Sequence, residues 1–594
     1  MAESYVKKVN DTVRLFINGK MASSCAYTTY FDERNRYAEF TKAGYQLYSV
    51  TIAFATRALN AFTGFTPYEK GIFDKENEPD FSVVDEAVGK VLKVNPNAYI
   101  FPRVFMTMPE WWCEKNPEEI IVAPCGEKRE MLFSDAFREE GSKMLKALVN
   151  HVQNQPYAEN IIGYHLADGC TEEWFHYGRE GGVCENAKKY FFRFLDEKYP
   201  EENLPRELPN MNNLNVEGEI QDKLLVRYLE FSNTAVADSI AHFAKTVKEA
   251  TNFEQTVGTF YGYITEICSP LPGDVALHHI IDCPYIDFFC SPNSYVKTRA
   301  LGIDWGDTLP FASLREHNKI YFSECDIRTS LSDFINNCRP GADKNNSYYG
   351  DIWLGPKTIE GSVAAMRKAY AHQITRGNSL WWFDMWGGWY DNPRYMTEAK
   401  RCLKLFEKHN YRQYSAKPEI AVFVDGKIYQ YQGMSHQSCC SQTEIRNSLG
   451  NSGLAFDLFL LDDFKAKYKD YKAIIFPFAI DTKDSLEAKI LCQQAGIPTL
   501  CANMDKWEFT PAELRKFAES ADVNVFCDTN DVITFGNSLL AIHSASAGEK
   551  VIKLPKPAII KNVCSDKAAF KADEISITMK KHQTIIFTLC DLEN

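Results

Sequence analysis

The chain has 594 residues, of which 45% are hydrophobic and 24% charged, and its formal net charge is -13. A chain of this length is too long for one hydrophobic core, so we expect two to four domains. The acidic balance argues against nucleic acid or an anionic membrane as a partner. No run of about 18 apolar residues occurs, so no transmembrane helix is expected.

The cysteines and the first residues of the chain indicate the compartment. The 18 cysteines are scattered without a Cys-x-x-Cys pair, which is typical of reduced thiols rather than of a disulfide framework. Residues 1–10 contain no apolar segment of the kind found in a secretion signal. We therefore expect a cytoplasmic protein.

Strand-like apolar segments alternate with amphipathic segments as far as about residue 410, after a predicted hairpin at residues 13–20. The predicted strands are 48–55, 98–105, 161–166, 256–263, 286–290, 319–323 and 379–384, and the predicted helices are 81–94, 134–153, 222–250 and 358–375. Such alternation is typical of a parallel sheet covered by helices. Seven or eight units over about 400 residues predict an α/β fold, a (β/α)8 barrel with long insertions.

The strand count places residues 48–55 near barrel strand 1, 161–166 near strand 4, 319–323 near strand 7 and 379–383 near strand 8. Catalytic residues of such barrels lie at the C-terminal ends of the strands. The alternative is a doubly wound open sheet, but the sequence has no glycine-rich phosphate loop.

Glutamates follow two of these predicted strands. Glu172 and Glu173 come after strand 4, Glu324 comes after strand 7, and aromatic residues surround both segments. Retaining glycoside hydrolysis requires such a pair, because one carboxyl group protonates the leaving oxygen and the other, ionised, attacks the anomeric carbon.

Five short motifs resemble the large clan of retaining (β/α)8 glycosidases, and within it the β-galactosidases of glycoside hydrolase family 42 and their relatives. They are Arg14-Leu-Phe-Ile-Asn-Gly-Lys, Pro102-Arg-Val with Pro109-Glu-Trp-Trp, Gly163-Tyr-His, Ser323-Glu-Cys-Asp-Ile-Arg-Thr and Trp381-Trp-Phe-Asp-Met-Trp. The resemblance implies an acid/base glutamate after strand 4, a nucleophile after strand 7, and no metal or cofactor. It also implies that the segments starting at Glu419 and Gly453 belong to a flavodoxin-like α/β domain with trimer contacts.

One departure from the family concerns the acid/base site. The family carries Asn-Glu there, whereas this chain has Asp168-Gly-Cys-Thr-Glu-Glu-Trp. We expect a retaining exo-β-glycosidase that binds an oligosaccharide or glycoside, hydrolyses β-galactosides or a related β-hexoside, and forms a homotrimer. The alternatives are a divergent relative similar to the family 164 β-mannosidases, and a catalytically inactive carbohydrate-binding or scaffold protein.

The acid is one of two adjacent glutamates. On an extended segment Glu172 and Glu173 point to opposite sides, so only one faces the pocket. Matching Glu-Trp to the family's Glu-Tyr favours Glu173, whereas a shift by one residue favours Glu172. We take Glu173 as the acid/base and Glu324 as the nucleophile, which Arg328 is expected to hold ionised. The competing interpretations are a surface Glu-Glu pair and a salt bridge at the strand end.

Seven residues are predicted to contact the substrate or the carboxylates, namely Arg103, His165, Glu172, Trp174, Tyr261, Tyr295 and Trp382. Arg103 is expected either to contact the nucleophile or to form a structural ion pair. The resemblance implies that the Tyr295 phenol bonds the nucleophile. Since strand neighbours alternate, Trp382 is expected as the sugar platform and Trp381 as packing outside the barrel. His165 is expected to contact sugar or to be a hydrogen-bonded core histidine.

Strand and helix patterns continue beyond the barrel. Residues 414–418 are typical of a linker, and alternating parallel units follow, with alternating β segments at the end of the chain. The predicted domains are the catalytic barrel at residues 1–413, the α/β trimerisation-like domain at 414–550, and a small antiparallel β domain at 551–594.

Overall fold

The computed structural model describes residues 2–123, 125–176, 185–295, 299–408 and 413–592. Its first part is a closed barrel of eight parallel strands, as the sequence predicts. In chain order the strands are β1 (Cys25–Thr28), β2 (Leu47–Ala53), β3 (Tyr99–Phe105), β4 (Gly163–Ala167), β5 (Thr256–Phe260), β6 (Phe288–Pro292), β7 (Ile320–Cys325) and β8 (Ser379–Phe383). β8 pairs in parallel with β1 and closes the barrel.

The start of the barrel differs from the predicted strand count. Residues 48–55, expected near strand 1, form β2, and the first strand is β1. With only four residues, all buried, β1 is too short to show a periodic pattern. The expected positions of strands 4, 7 and 8 are confirmed.

Polar side chains cap the long helices around the barrel. The Ser134 hydroxyl accepts a hydrogen bond from the backbone N–H of Phe137 at 3.2 Å, and Asp222 and Thr358 cap two other helices in the same way. The α-helices of this part are Tyr37–Ala43, Ser82–Val94, Glu110–Lys115, Asp135–Gln153, Lys188–Lys198, Lys223–Ala250, Leu277–Ile280, Phe311–Glu316, Ile335–Cys338, Ile359–Arg376 and Pro393–Lys408.

An antiparallel hairpin lies at the N-terminal end of the barrel. Its strands are Ser4–Val9 and Thr12–Ile17. The connecting Asn10 and Asp11 have φ of 47° and 65°, the left-handed values of a tight two-residue turn. The backbone N–H of Ser4 donates to the carbonyl oxygen of Glu254 at 2.7 Å. The hairpin is therefore bound to the residues that lead into β5.

Aromatic side chains fill the barrel interior. The ring centroids of Phe322 and Trp381 lie 4.9 Å apart, and those of Phe101 and Phe288 lie 5.9 Å apart. These spacings are those of packed aromatic pairs. The interior is therefore a core, and space for a ligand is expected only at the ends of the strands.

A parallel sheet of four strands follows the barrel. The strands are β9 (Ile420–Val424), β10 (Phe456–Leu460), β11 (Ala473–Phe476) and β12 (Thr499–Cys501), in the order β10-β9-β11-β12. The helices beside them are Ile428–Tyr431, Ser441–Gly450, Phe464–Lys467, Lys483–Ala495 and Pro511–Ser520. This is the strand order at the start of a flavodoxin-like sheet.

The chain ends in an antiparallel sheet of five strands. They are β13 (Val532–Gly536), β14 (Leu539–His543), β15 (Gly548–Asn562), β16 (Phe570–Met579) and β17 (Thr584–Asp591), in the order β13-β14-β17-β15-β16. The sheet starts before residue 551, the predicted domain boundary, because β13 pairs with β14 and β14 pairs with β17 near the end of the chain. Among the described helices, none is both long and apolar enough to cross a membrane.

Candidate active site

One arginine joins two carboxylates at the C-terminal end of the barrel. Arg103, on β3, donates from Nη2 to Glu324 Oε2 at 2.6 Å and from Nη1 to Glu172 Oε2 at 2.9 Å. Glu324 lies on β7, and all three side chains are buried. The structure therefore brings together three of the predicted residues, and Arg103 contacts the carboxylate proposed as the nucleophile.

Glu172 is held by partners from the loops that follow the first two strands of the barrel. The phenol of Tyr30, just after β1, donates to its Oε2 at 2.6 Å. The phenol of Tyr68, in the loop after β2, donates to the other oxygen. With Arg103 as a third donor, the buried Glu172 carboxylate is fully engaged in hydrogen bonds within the protein.

The segment that carries Glu172 and Glu173 is a tight turn. Thr171, Glu172 and Trp174 have φ of 59°, 69° and 58°, the left-handed region that non-glycine residues rarely adopt. Such conformations cost on the order of 1–3 kcal/mol each and cluster at functional sites. The segment is therefore not extended as expected, and Glu172 and Glu173 each interact electrostatically with Glu324.

Glu173 is biased toward its protonated form at neutral pH. Burial, together with the negative charges of Glu324 and Asp274, raises the pKa of Glu173 to about 8, against the stabilising hydrogen bond from Thr171. The Thr171 hydroxyl donates to Glu173 Oε2. A carboxyl group that keeps its proton near pH 7 can act as a general acid.

Two opposing effects act on the pKa of Glu324, namely its burial and the charge of Arg103. Burial, with the charges of Asp326 and Glu172, raises the pKa of Glu324 to about 7, against the opposing Arg103 guanidinium. Because Arg103 donates to Glu324, it favours the ionised carboxylate that a nucleophile requires.

Two predicted contact residues lie apart from the carboxylates. The indole N–H of Trp174 donates to the carbonyl oxygen of Leu166 at 3.3 Å. The Tyr261 phenol donates to the carbonyl oxygens of Asn233 and Gly273. Both side chains are buried against the long helix Lys223–Ala250 or its neighbouring loop, so the structure gives them packing contacts instead of a place at the site.

His165 belongs to the barrel interior. It pairs with Arg103 across β4 and β3, and its ring lies 4.4 Å from the Phe260 ring and 5.4 Å from the Trp381 ring. Burial and the Arg103 charge lower the pKa of His165 well below its usual value, so the ring is neutral. Neither ring nitrogen has a hydrogen-bond partner among the described residues, which differs from the hydrogen-bonded core histidine that the sequence suggests.

Tyr295 and Arg328 contact a neighbour of the proposed nucleophile. The Tyr295 phenol donates to Asp326 Oδ2 at 2.7 Å, and Arg328 Nη1 donates to the same oxygen at 2.8 Å. The expected contacts of both residues with Glu324 are not observed. The strand β7 ends at Cys325, so Asp326 already belongs to the following loop.

The two adjacent tryptophans of β8 have the opposite orientation to the one expected. The Trp382 indole N–H donates to the Tyr45 phenol at 2.8 Å, and its ring packs on Tyr370 of an outer helix. Trp381 instead lies opposite Glu324 in the strand register and faces the interior. Trp382 therefore packs between barrel and helices and is not brought to the carboxylates.

Sequence reasoning missed Tyr30, Tyr68 and Tyr263. Tyr263 is buried in the loop after β5, and burial together with the charges of Glu173 and Glu324 raises the pKa of its phenol well above the usual value. Each of the three phenols follows a barrel strand, which is a usable signal once the strand is recognised. Tyr30 could not be identified in this way because β1, the strand that precedes it, is not among the predicted strands.

No group of three or more histidine, cysteine, aspartate or glutamate side chains is positioned to hold a metal ion within the described parts of the chain. The seventeen described cysteines are free thiols. The site is thus built from carboxyl, guanidinium and phenol groups.

No protein-family model matches the sequence, and no curated protein is detectably similar to it. Solved structures do share its fold. The β-galactosidase from Bacillus circulans sp. alkalophilus has a TM-score of 0.60 at 12% identity, with 95% of this chain and 98% of that chain covered. The β-galactosidase from Halorubrum lacusprofundi has a TM-score of 0.61 at 12% identity, with the same coverage. The exo-carrageenase of glycoside hydrolase family 42 from Bacteroides ovatus has a TM-score of 0.59 at 11% identity over 99% of this chain and 85% of that chain.

Proposed function

We propose that this protein is a retaining exo-β-glycosidase acting on β-galactosides or a related β-hexoside. The observation that carries the proposal is that half-buried Glu173 and buried Glu324, the latter bound by Arg103, lie after two strands at the C-terminal end of one barrel. The full-length likeness to β-galactosidases of the same fold supports it as an analogy.

In the proposed first step, a Glu324 carboxylate oxygen attacks the anomeric carbon while the bond to the leaving oxygen breaks. Glu173 transfers its proton to that oxygen, and the aglycone departs as an alcohol. Arg103 stabilises the ionised form of Glu324 before the attack. The product of this step is a glycosyl ester on Glu324.

In the second step, water attacks the anomeric carbon of the ester. Glu173, now ionised, accepts a proton from the water, and Glu324 leaves as a carboxylate. The sugar is released with its original anomeric configuration, and both groups return to their starting protonation states. Glu172 takes no part in the bond changes, because its two oxygens already accept hydrogen bonds from Arg103, Tyr30 and Tyr68.

A β-mannosidase of a divergent type is the second candidate. The segment after β4 has no asparagine before the proposed acid, and its first residue, Asp168, is buried and lies beside Glu130. Burial and the Glu130 charge raise the pKa of Asp168 well above its usual value. The sugar 2-hydroxyl would then be bound by other groups. The hydrolysis panel described next distinguishes a β-galactosidase from a β-mannosidase.

The test is hydrolysis of a panel of aryl β-glycosides by the wild type and by Glu324→Gln, Glu173→Gln and Glu172→Gln. We expect turnover of one sugar, its loss in Glu324→Gln, and a decrease of about 10²–10⁴-fold in Glu173→Gln with poor leaving groups. The panel contains the galactoside, mannoside, glucoside, fucoside, xyloside, arabinoside and glucuronide. No turnover of any sugar by the folded protein would favour the inactive sugar-binding alternative.

We further propose a cytoplasmic homotrimer with contacts through the α/β domain of β9–β12. The proposal rests on the resemblance of this domain to the α/β domain that makes trimer contacts in the family 42 β-galactosidases. Light scattering should give three times the chain mass of 67.8 kDa, and a monomer mass would contradict it.

A further inference from the structure

We propose that Cys268 and Cys440, here called the thiol pair, are a modification site at which a peroxide forms a reversible disulfide bond between the barrel and the α/β domain. Cys268 lies in the loop after β5, and Cys440 directly precedes the helix Ser441–Gly450 beside the parallel sheet. The Cys440 thiol donates to the Cys268 sulfur at 3.0 Å. The two sulfur atoms are therefore in contact, although the residues are 172 positions apart along the chain.

The distance between the two sulfur atoms leaves only a short movement before a covalent bond can form. A disulfide has an S–S length of about 2.05 Å, so the sulfur atoms of the thiol pair must approach each other by about 1 Å. Small rotations of two cysteine side chains can supply such a movement. The bond therefore requires no rearrangement of the two domains.

Cys439 is the other thiol close to Cys440, but it is a poor partner for a disulfide. Its sulfur lies 3.7 Å from that of Cys440. Adjacent residues have Cα atoms about 3.8 Å apart, whereas the Cα atoms of bridged cysteines are usually about 4.4–6.8 Å apart. We therefore expect Cys440 to pair with Cys268 and Cys439 to remain a thiol.

Polar contacts between the two domains hold the thiol pair in place before any oxidation. The Tyr429 phenol of the α/β domain donates to the carbonyl oxygen of Ile264 at 2.7 Å. Arg446, on the helix that follows the pair, donates from Nη2 to the Glu266 carboxylate. Ile264 and Glu266 lie just before Cys268 in the same loop. Because these segments are already ordered, forming the disulfide costs little further backbone entropy.

Both thiols of the pair can be reached from solvent. Cys268 and Cys440 are partly exposed, whereas Cys439 is buried. The thiols of Cys25 and Cys402 also interact with each other, but both of these residues are buried in the barrel part of the chain. Since oxidation of a thiol depends on access as well as on its ionisation, we expect a peroxide to act on the thiol pair first.

The oxidation proceeds in two steps. A thiolate of the pair attacks one oxygen of hydrogen peroxide, an S–O bond forms, the O–O bond breaks, and hydroxide departs. The second thiolate then attacks the sulfenic sulfur, the S–S bond forms, the S–O bond breaks, and a second hydroxide departs. The two hydroxides take up the two thiol protons, so the products are one disulfide and two waters. The thiols lose two electrons, which the peroxide gains, and a dithiol reverses the reaction by exchange.

The disulfide would fix a loop of the candidate active site to the α/β domain. The loop after β5 carries Tyr263, five residues before Cys268, and the pKa of the Tyr263 phenol is raised by burial and by the charge of Glu173. In a reducing compartment such a disulfide forms only transiently, as redox-sensing disulfides do. The thiol pair would thus make the anchoring of this loop depend on the redox state of the cell.

The test maps the disulfide directly. The reduced full chain is treated with hydrogen peroxide, the remaining thiols are blocked with N-ethylmaleimide, and the digested chain is analysed by mass spectrometry. We expect one linked pair of peptides in which fragmentation assigns the bond to Cys268 and Cys440. The bond should lie within one chain on a non-reducing gel and should disappear with dithiothreitol.

Three variants test the assignment. The linked peptides should be absent from Cys268→Ser and from Cys440→Ser. Cys439→Ser is the matched control, because it removes the adjacent thiol and should leave the disulfide intact. The wild-type result stands even if a variant fails to fold. Separate blocking or overoxidation of the two thiols in the wild type, disulfides only between chains, or a link that survives Cys440→Ser would overturn the proposal.

Thermal unfolding gives a second readout that needs no sugar substrate, so the inference is independent of the proposed function. The disulfide closes a loop of 172 residues in the unfolded chain. Oxidation should therefore raise the midpoint of thermal unfolding of the wild type and of Cys439→Ser by about 2–4 °C. Cys268→Ser and Cys440→Ser should show no rise. A mapped disulfide that lowers the midpoint would contradict the contact on which the proposal rests.

Discussion

At the scale of single residues, neighbours decide the chemistry of two adjacent glutamates. Glu172 accepts hydrogen bonds from one arginine and two phenols, whereas Glu173 retains a high pKa because burial and the charge of Glu324 disfavour ionisation. Both residues are visible in the sequence as candidates. Their division of roles was not, because it depends on a left-handed turn that residue type alone does not indicate.

The pH dependence of kcat/KM follows from these two groups. Glu324 must be ionised and its pKa is raised to about 7, so activity falls as the pH drops below that value. Glu173 must be protonated and its pKa is raised to about 8, so activity falls again at higher pH. We expect a bell-shaped profile whose limbs belong to the coupled pair. For an activated aryl glycoside, Glu173→Gln should lose the upper limb, and its persistence would contradict the assignment.

Neutralising Glu172 should change only the low-pH limb of the kcat/KM profile. The charge of Glu172 raises the pKa of Glu324 and competes for Arg103. In Glu172→Gln the pKa of Glu324 should therefore fall, and the lower limb should move to lower pH while the plateau stays within about tenfold of the wild type. The same pH series measures it. A loss as large as that of Glu324→Gln would show that Glu172 is the acid.

At the scale of secondary structure elements, the length of a strand determines whether the sequence predicts it. Which of its side chains face the barrel interior is harder to predict. Buried strands of five or more residues, such as β4 and β7, were predicted close to their observed bounds. The four-residue β1 was not. The alternation of Trp381 and Trp382 was recognised, but which of them faces inward depends on the pairing of β8 with β7, and no property of either residue specifies that register.

The close approach of β4 and β5 provides a test at this scale. A Cβ atom on Gly163 would overlap the carbonyl oxygen and hydroxyl of Thr256, so Gly163→Ala must push the two strands apart. We expect a loss of about 1–3 kcal/mol in the free energy of unfolding, as for other overpacked cores. Denaturant unfolding followed by tryptophan fluorescence measures it.

The matched control is Gly89→Ala in the helix Ser82–Val94. No atom lies within 4 Å of a Cβ atom built there. Alanine should stabilise this exposed helical position by about 0.5–1 kcal/mol. Equal effects of the two substitutions would show that β4 and β5 are not as tightly packed as described.

At the scale of the whole molecule, buried polar contacts join the barrel to the later domains. Arg376, at the end of an outer barrel helix, donates to the carbonyl oxygen of Phe456 on β10 at 3.3 Å. Thr584 on β17 donates to the carbonyl oxygen of Ala364 at 2.9 Å. The domain types were recognisable from local patterns, but such contacts join residues 80 to 220 positions apart and leave no local signal.

An ion cluster around His372 should make the stability of the protein depend on pH. His372 lies between Asp307, at 2.9 Å, and Asp304, at 3.5 Å. Burial lowers the pKa of His372, but the two carboxylates outweigh it and raise the pKa above its usual 6.5. Its contribution to stability is therefore complete below about pH 6.5 and is lost as the pH rises through the raised value.

We accordingly expect His372→Gln to cost about 3–5 kcal/mol of unfolding free energy at pH 6 and less at pH 9. Thermal unfolding of both proteins at the two pH values measures the difference. A cost that is the same at both pH values would show that the imidazole is neutral in the folded protein.

The central claim is that Glu324 forms a covalent glycosyl ester. The most direct measurement is mass spectrometry after treatment with the 2-deoxy-2-fluoro-β-glycosyl fluoride of the preferred sugar, which slows release of the intermediate. We expect one sugar per chain, attached to the peptide that contains Glu324, and none in Glu324→Gln. A label on another residue, or hydrolysis with inverted anomeric configuration and no label, would contradict the account.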